Sequence, residues 1–117
     1  MATSLGMTRK YLLPTKHPTT LDIAWAAGIY EGEGTCDLGS TAHTCISQKD
    51  REILDRLRAL FGGKITAKIS KTPGGRVTDE PIYLWQMSGA LARGFLMTIY
   101  TFLSARRKTQ VRSALGR

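Results

Sequence analysis

The stretch Trp25-Ala26-Ala27-Gly28-Ile29-Tyr30-Glu31-Gly32-Glu33-Gly34 joins small residues at helical spacing to two carboxylates. Ala24, Gly28 and Gly32 recur at every fourth position, so on a helix they form one smooth stripe that another backbone can approach closely. Glycine inside a helix costs about 1 kcal/mol relative to alanine, and close packing is what compensates for it. Glu31 and Glu33 fall at the helix end, where unpaired carbonyls carry partial negative charge and anions are disfavoured by about 0.3–1 kcal/mol. A cation held there reverses the sign.

Working outward, helix one begins after Thr19 or Thr20, with Asp22 at capping-box spacing from Thr19, and ends near Glu31. From Thr35 the period changes to two: Cys36 and Leu38 face one way, Thr35 and Asp37 the other, and Gly39-Ser40-Thr41 supplies a turn. In the returning strand Thr44 and Ile46 alternate with His43, Cys45 and Ser47. Ile53, Leu54, Leu57, Leu60 and Phe61 define a second helix from about Lys49, stopped by Gly62-Gly63. A strand from Lys64 to Lys71 follows, with Ile65, Ala67 and Ile69 inward and a cationic outer face of Lys64, Thr66, Lys68 and Ser70. The loop Thr72-Pro73-Gly74-Gly75-Arg76 leads to a fourth strand, Ile82 to Ser88, whose alternation does not say which side Trp85 faces. Helical spacing resumes through Leu91, Phe95, Leu96 and Ile99, and a last helix spans about Ala105 to Leu115.

The segment Ala26 to Gly34 resembles the nine-residue motif of the LAGLIDADG homing endonucleases, with glutamate in both acidic places and Ala26 where the motif has its first leucine. Ile46-Ser47-Gln48-Lys49, and Phe102-Leu103 followed by Arg106-Arg107-Lys108, are similar to segments of the same family. The order of elements matches one half of that α+β fold, α-β-β-α-β-β-α with an antiparallel saddle-shaped sheet, and the resemblance runs from about Leu21 to Leu115. It implies that Glu33 ligates Mg²⁺ or Mn²⁺, joined by the Gly32 carbonyl. It also implies that Gln48 organises the water network around the metals and that Arg106 reaches the cleaved phosphate. Single-motif members of the family work as homodimers, so the implied activity is site-specific double-strand cleavage of a palindromic or near-palindromic DNA target.

The chemistry fits the residues. Hydrolysing a phosphodiester requires charge neutralisation and an activated water, both of which a carboxylate-bound divalent ion supplies. Glu31 stands roughly 200° around an ideal helix from Glu33, so it reads as a structural acid bonded to backbone or a partner subunit. One chain therefore offers half of a site. Packing the Ala24, Gly28 and Gly32 stripe against its copy brings two Glu33 side chains together. Thr35, Asp37, His43, Cys45, Ser47, Thr66 and Lys68 line one outer sheet face of a kind that can enter the major groove, with Lys68 the first candidate for guanine or phosphate. Arg106, Arg107 and Lys108 add further cations for DNA phosphates. A strand of about six residues spans roughly 20 Å, so the implied half-site is short.

The 117 residues, 42% of them hydrophobic, fit one domain over 21–117 preceded by a basic segment 1–20 that reads equally as an extended arm or a disordered terminus. A net charge of +8 from 17 Lys plus Arg against 9 Asp plus Glu favours a polyanionic partner. Double-stranded DNA and a second copy of the chain are the expected partners, with no membrane span or signal-peptide core, hence a cytoplasmic, organellar or phage-infected host location. Cys36 and Cys45 form no metal or redox motif and read as reduced thiols; His17 and His43 read as surface or packing residues. Gly62-Gly63-Lys64 lacks the remaining positions of a phosphate loop. The rival readings are a catalytically inactive DNA-binding regulator or an intron-RNA splicing cofactor of the same fold, and a basic ribosome-associated protein that would leave the small-residue helix unexplained.

Overall fold

A computed structural model describes residues 13–68 and 81–116. The expected basic arm lies largely outside these residues, as do the 72–76 loop and the end of the third strand. Helix α1 (Thr20–Glu33) begins at a full capping box: Thr19 Oγ1 accepts from the Asp22 amide at 3.2 Å while the Asp22 carboxylate accepts from the Thr19 amide at 2.9 Å. It runs two residues past the expected end at Glu31, because the Gly34 amide still reaches the Tyr30 carbonyl. Trp25 packs on α2 (Arg51–Phe61) under the Arg56 guanidinium, which sits 3.9 Å above its ring and pairs with Asp22 at 3.2 Å. Asp50 caps α2 through the Glu52 amide at 3.0 Å, which moves its start from Lys49 to Arg51. Gly62, at φ 84°, ends it as the sequence predicts.

Strands β1 (Gly34–Leu38), β2 (Ala42–Gln48), β3 (Lys64–Lys68) and β4 (Ile82–Ser88) form one antiparallel sheet in the order β1-β2-β4-β3. Two further helices, α3 (Gly89–Ile99) and α4 (Ala105–Ala114), follow with a short 3-10 turn at Tyr100–Phe102 between them. The fold is therefore the α+β half-domain layout that the element order implies, with four helices on a four-stranded antiparallel sheet among the described residues.

The register decides which face is the core. Gly34↔Ile46↔Trp85↔Ile65 and Cys36↔Thr44↔Met87 share the covered side, where Ile46, Trp85, Thr44 and Met87 are all fully buried. Trp85, left open by the sequence, points inward and donates its indole N–H to the Gly62 carbonyl at 2.8 Å. Gly63 must lack a side chain there, since its φ is +105° and a Cβ would stand 2.7 Å from the Trp85 indole nitrogen. Phe95 of α3 is the hub of the core, edge-on to Trp85 and Phe61 at 5.0 Å and to Tyr30 at 6.0 Å. Ala67 has the inward parity expected of it but is exposed, because β3 is an edge strand that the helices do not cover there.

Candidate nucleic-acid interface

The residues opposite the core side form a single face, polar except for Leu84 and Ile82. Asp37, His43 and Ser88 make one row across it; Thr35, Cys45, Gln86 and Lys64 make the next; Ser47, Leu84 and Thr66 follow, and Lys68 pairs with Ile82 at the end. The strand register thus brings Thr35, Asp37, His43, Cys45, Ser47, Thr66 and Lys68 together on one side. Their contacts run across strands: Thr35 Oγ1 and Cys45 Sγ are 3.0 Å apart, and His43 bridges Gln86 and Asp37. Cys36 and Cys45 lie on opposite faces and are both free thiols. Burial raises the Cys36 thiol above its ordinary range.

Sequence reasoning missed the contribution of β4 to this face. Its outward positions include Ile82 and Leu84, so the alternation carried no polarity that could assign a side. The usable signal was the indole of Trp85, which needs an acceptor and finds one only behind the sheet, at the α2 stop.

Glu33 is exposed at the last position of α1. Because Gly34 pairs with Ile46, the end of α1 meets the sheet end that carries Ser47 and Gln48 of β2, and Ile82 and Lys68 lie at that same end. Gln48 pairs with Tyr83 and has core-side parity, so it projects from the opposite side of β2 to Ser47. Gly34 itself admits no side chain, since a Cβ would lie 2.1 Å from Cδ1 of the buried Tyr30 ring.

The acidic end of α1 is fastened to α4. Glu31 accepts from the Ser104 amide at 2.9 Å and from the Ser104 hydroxyl at 2.7 Å, so the carboxylate caps the first turn of α4. The two Ser104 bonds, with Arg107 and Arg106 nearby, hold its carboxyl below the ordinary carboxylate range. Arg107 is buried and donates to the carbonyls of Glu31 at 3.0 Å and Gly34 at 2.8 Å and to Gln110 at 2.9 Å. Its placement differs from the phosphate contact expected of it: the guanidinium is consumed inside the chain. Arg106 is exposed beside this junction, and Lys108 lies over the Tyr100 ring at 5.5 Å.

The stripe on α1 is uncovered among the described residues. Outside the helix's own backbone, none of their atoms lies within 4 Å of where a Cβ on Gly28 or Gly32 would stand, Ala24 is partly exposed, and Leu21 at the head of the helix is 81% exposed. The donors at the other end of α1 suit a hard divalent ion, a carboxylate on Glu33 and a carbonyl on Gly32. Among the described residues no group of three His, Cys, Asp or Glu side chains comes together to hold one. No helix among the described residues is long and apolar enough to cross a membrane.

No family model and no curated protein matches the chain. Among solved structures it is similar to the homing endonuclease I-CvuI, crystallised in complex with I-CreI target DNA in the presence of magnesium with the DNA not cleaved. The TM-score is 0.55 at 16% identity, and the match covers 79% of this chain and 62% of that one. The likeness shows a shared fold, and the chain spans less than two thirds of its neighbour's length.

Proposed function

We propose that this protein is a divalent-metal-dependent DNA endonuclease that acts as a homodimer and cuts both strands of a palindromic or near-palindromic duplex. The observation that carries the reading is the position of Glu33: an exposed carboxylate at the end of a polar sheet face, reached along a helix side that is smooth and open. Paired through Ala24, Gly28 and Gly32, two chains would bring two such carboxylates to one axis, with a sheet on either side to follow the major groove. Magnesium or manganese held by Glu33 and the Gly32 carbonyl of both copies would supply Lewis acidity and an activated water. Lys68 and Arg106, both exposed, would neutralise phosphates, and Gln48 would orient water beside Glu33. Such a protein would act in a compartment that holds its target DNA, the cytoplasm of a cell or infected host, or an organelle.

Glu33→Gln tests the reading. The amide keeps the size of the side chain and removes the charge that holds the metal. Cleavage of a randomised duplex library with Mg²⁺ or Mn²⁺ should be lost while gel-shift binding persists, strengthened if the carboxylate repels phosphates in the absence of metal. Equal cutting by both proteins removes Glu33 from the mechanism. A wild type that binds DNA and cuts with neither ion is a DNA-binding protein of this fold without nuclease activity.

A further inference from the structure

Gln86 stands within the polar face, directly across from Cys45 on one side and Lys64 on the other. Its side-chain oxygen lies 3.3 Å from Nε2 of His43, and Nδ1 of the same ring lies 3.6 Å from Oδ1 of Asp37. Three side chains from β1, β2 and β4 thus form one line across the sheet, from an exposed carboxylate through a one-third exposed imidazole to a half-buried amide. Ser88, opposite His43, and Lys64, opposite Gln86, are the polar groups that flank it.

We propose that the line from Asp37 through His43 to Gln86 sets which end of the Gln86 amide faces bound DNA. Gln86 is then a specificity-determining residue, with His43 and Asp37 as its positioning residues. The inference rests on the DNA-binding reading of this face.

The negative Asp37 carboxylate, 3.6 Å from Nδ1, favours electrostatically a proton on that nitrogen of His43. A neutral ring protonated there offers a lone pair at Nε2, which accepts from the amide nitrogen of Gln86 and leaves the amide oxygen free toward the groove. The two ends of an amide exchange by a half-turn of its last torsion, and the 3.3 Å contact accommodates either. An outward oxygen accepts from an exocyclic amino group, N6 of adenine or N4 of cytosine, both of which the major groove displays. Without the Asp37 carboxylate the ring proton moves freely between its two nitrogens. A proton on Nε2 would turn the Gln86 oxygen inward and its amino group outward, toward guanine or thymine acceptors. Asp37 thereby acts on a base it does not have to touch.

The experiment is selection of bound sites from a randomised duplex library by the full chain and by Gln86→Met, Asp37→Asn, Gln86→Glu and, on the exposed side of α3, Met97→Gln, each checked for wild-type circular dichroism and melting. The wild type should prefer an amino-bearing base at one position of each half-site. Gln86→Met should lower that preference by on the order of tenfold, and Asp37→Asn should relax it at the same position. Gln86→Glu, which can only accept, should keep the preference and make it independent of Asp37 in the double variant, whereas Met97→Gln should leave this position alone. If Asp37→Asn and Gln86→Met act at different positions, or the preference survives both, the relay is overturned while DNA binding stands. A wild type that binds no duplex overturns the DNA-binding reading and the relay with it.

Discussion

Nη1 of Arg107 donates to the carbonyl oxygen of Gly34 at 2.8 Å, and its Nε donates to the carbonyl of Glu31 at 3.0 Å, so one guanidinium closes the last turn of α1. In the other direction the Glu31 carboxylate closes the first turn of α4 through Ser104. Each helix end meets the charge its dipole favours, positive at the C-terminus of α1 and negative at the N-terminus of α4. The electrostatic difficulty raised by two glutamates at the end of α1 is thus relieved in part within the chain. Glu31 is engaged and Glu33 remains exposed.

Arg107 is therefore expected to matter for folding. Arg107→Met leaves two carbonyls without their donor in a buried place, and the loss should be about 2–4 kcal/mol in urea unfolding. Arg107→Lys should recover little of it, since an ammonium cannot span the same fork of acceptors. The salt dependence of DNA binding should be unchanged in any folded Arg107 variant, whereas Lys68→Gln should lower its slope by about one counterion. A steep fall in that slope for Arg107→Met with wild-type stability would return this residue to the DNA.

Gly34→Ala probes the joint between α1 and β1. Its backbone, at φ −83°, suits any residue, so the effect isolates the collision of a new Cβ with the Tyr30 ring. Overpacking of this kind should cost about 1–3 kcal/mol. Thermal melting of Gly34→Ala alongside Gly34→Ala/Tyr30→Leu measures it, because opening space at Tyr30 should return part of the loss. An undiminished penalty in the double variant would mean that the glycine is needed for another reason.

Where one face of an element was buried, the sequence carried its placement. The period-two pattern of β2 assigns Thr44 and Ile46 inward and His43, Cys45 and Ser47 outward, and the register agrees. The apolar stripe of α2 and its double-glycine stop are equally direct. What remained hidden depends on contacts between distant segments. Arg107 sits in a run of three basic residues that reads as a solvated face, and nothing local reveals that its acceptors are carbonyls at the end of α1. Gln86 was invisible for the converse reason, because β4 offers apolar residues to both sides of the sheet. Glu33 and Gly32 as metal donors rest on the motif resemblance alone, because among the described residues no group of three His, Cys, Asp or Glu side chains comes together.

Stability should fall at both ends of the pH range for identifiable reasons. The Glu31 carboxyl is depressed chiefly by the Ser104 amide and hydroxyl, so its contribution is complete above the ordinary carboxylate range and is lost as pH falls through its lower folded value. Tyr30 is the alkaline counterpart: burial raises its hydroxyl above the ordinary phenol range, and no hydrogen-bond partner reaches it among the described residues. The unfolded chain ionises first as pH rises, so stability declines from the ordinary phenol range up through the raised folded value. Urea midpoints across pH for wild type, Glu31→Gln and Tyr30→Phe check both limbs. Glu31→Gln should flatten the acid limb, and Tyr30→Phe should flatten the alkaline limb without loss of stability at neutral pH, since it removes an unpaired buried hydroxyl. Limbs unchanged in these variants would assign the pH dependence to other groups.

Gly28 gives the sharpest division between a helix that faces water and one that faces its own copy. Among the described residues nothing beyond the helix's own backbone lies within 4 Å of an added Cβ, so Gly28→Ala should raise the stability of the single chain by about 1 kcal/mol through helix propensity alone. If two chains pack through Ala24, Gly28 and Gly32, the same methyl group wedges the backbones apart, and the gain in the monomer is set against a weakened dimer. Sedimentation of the wild type and Gly28→Ala over a range of concentrations, with and without duplex DNA, separates these effects. We expect a wild-type dimer, a weaker dimer for Gly28→Ala, and monomer or aggregate for Gly28→Leu. A wild type that stays monomeric even on DNA, with Gly28→Ala simply more stable, would leave Glu33 without its twofold partner and remove the shared metal site on which the proposed cleavage depends.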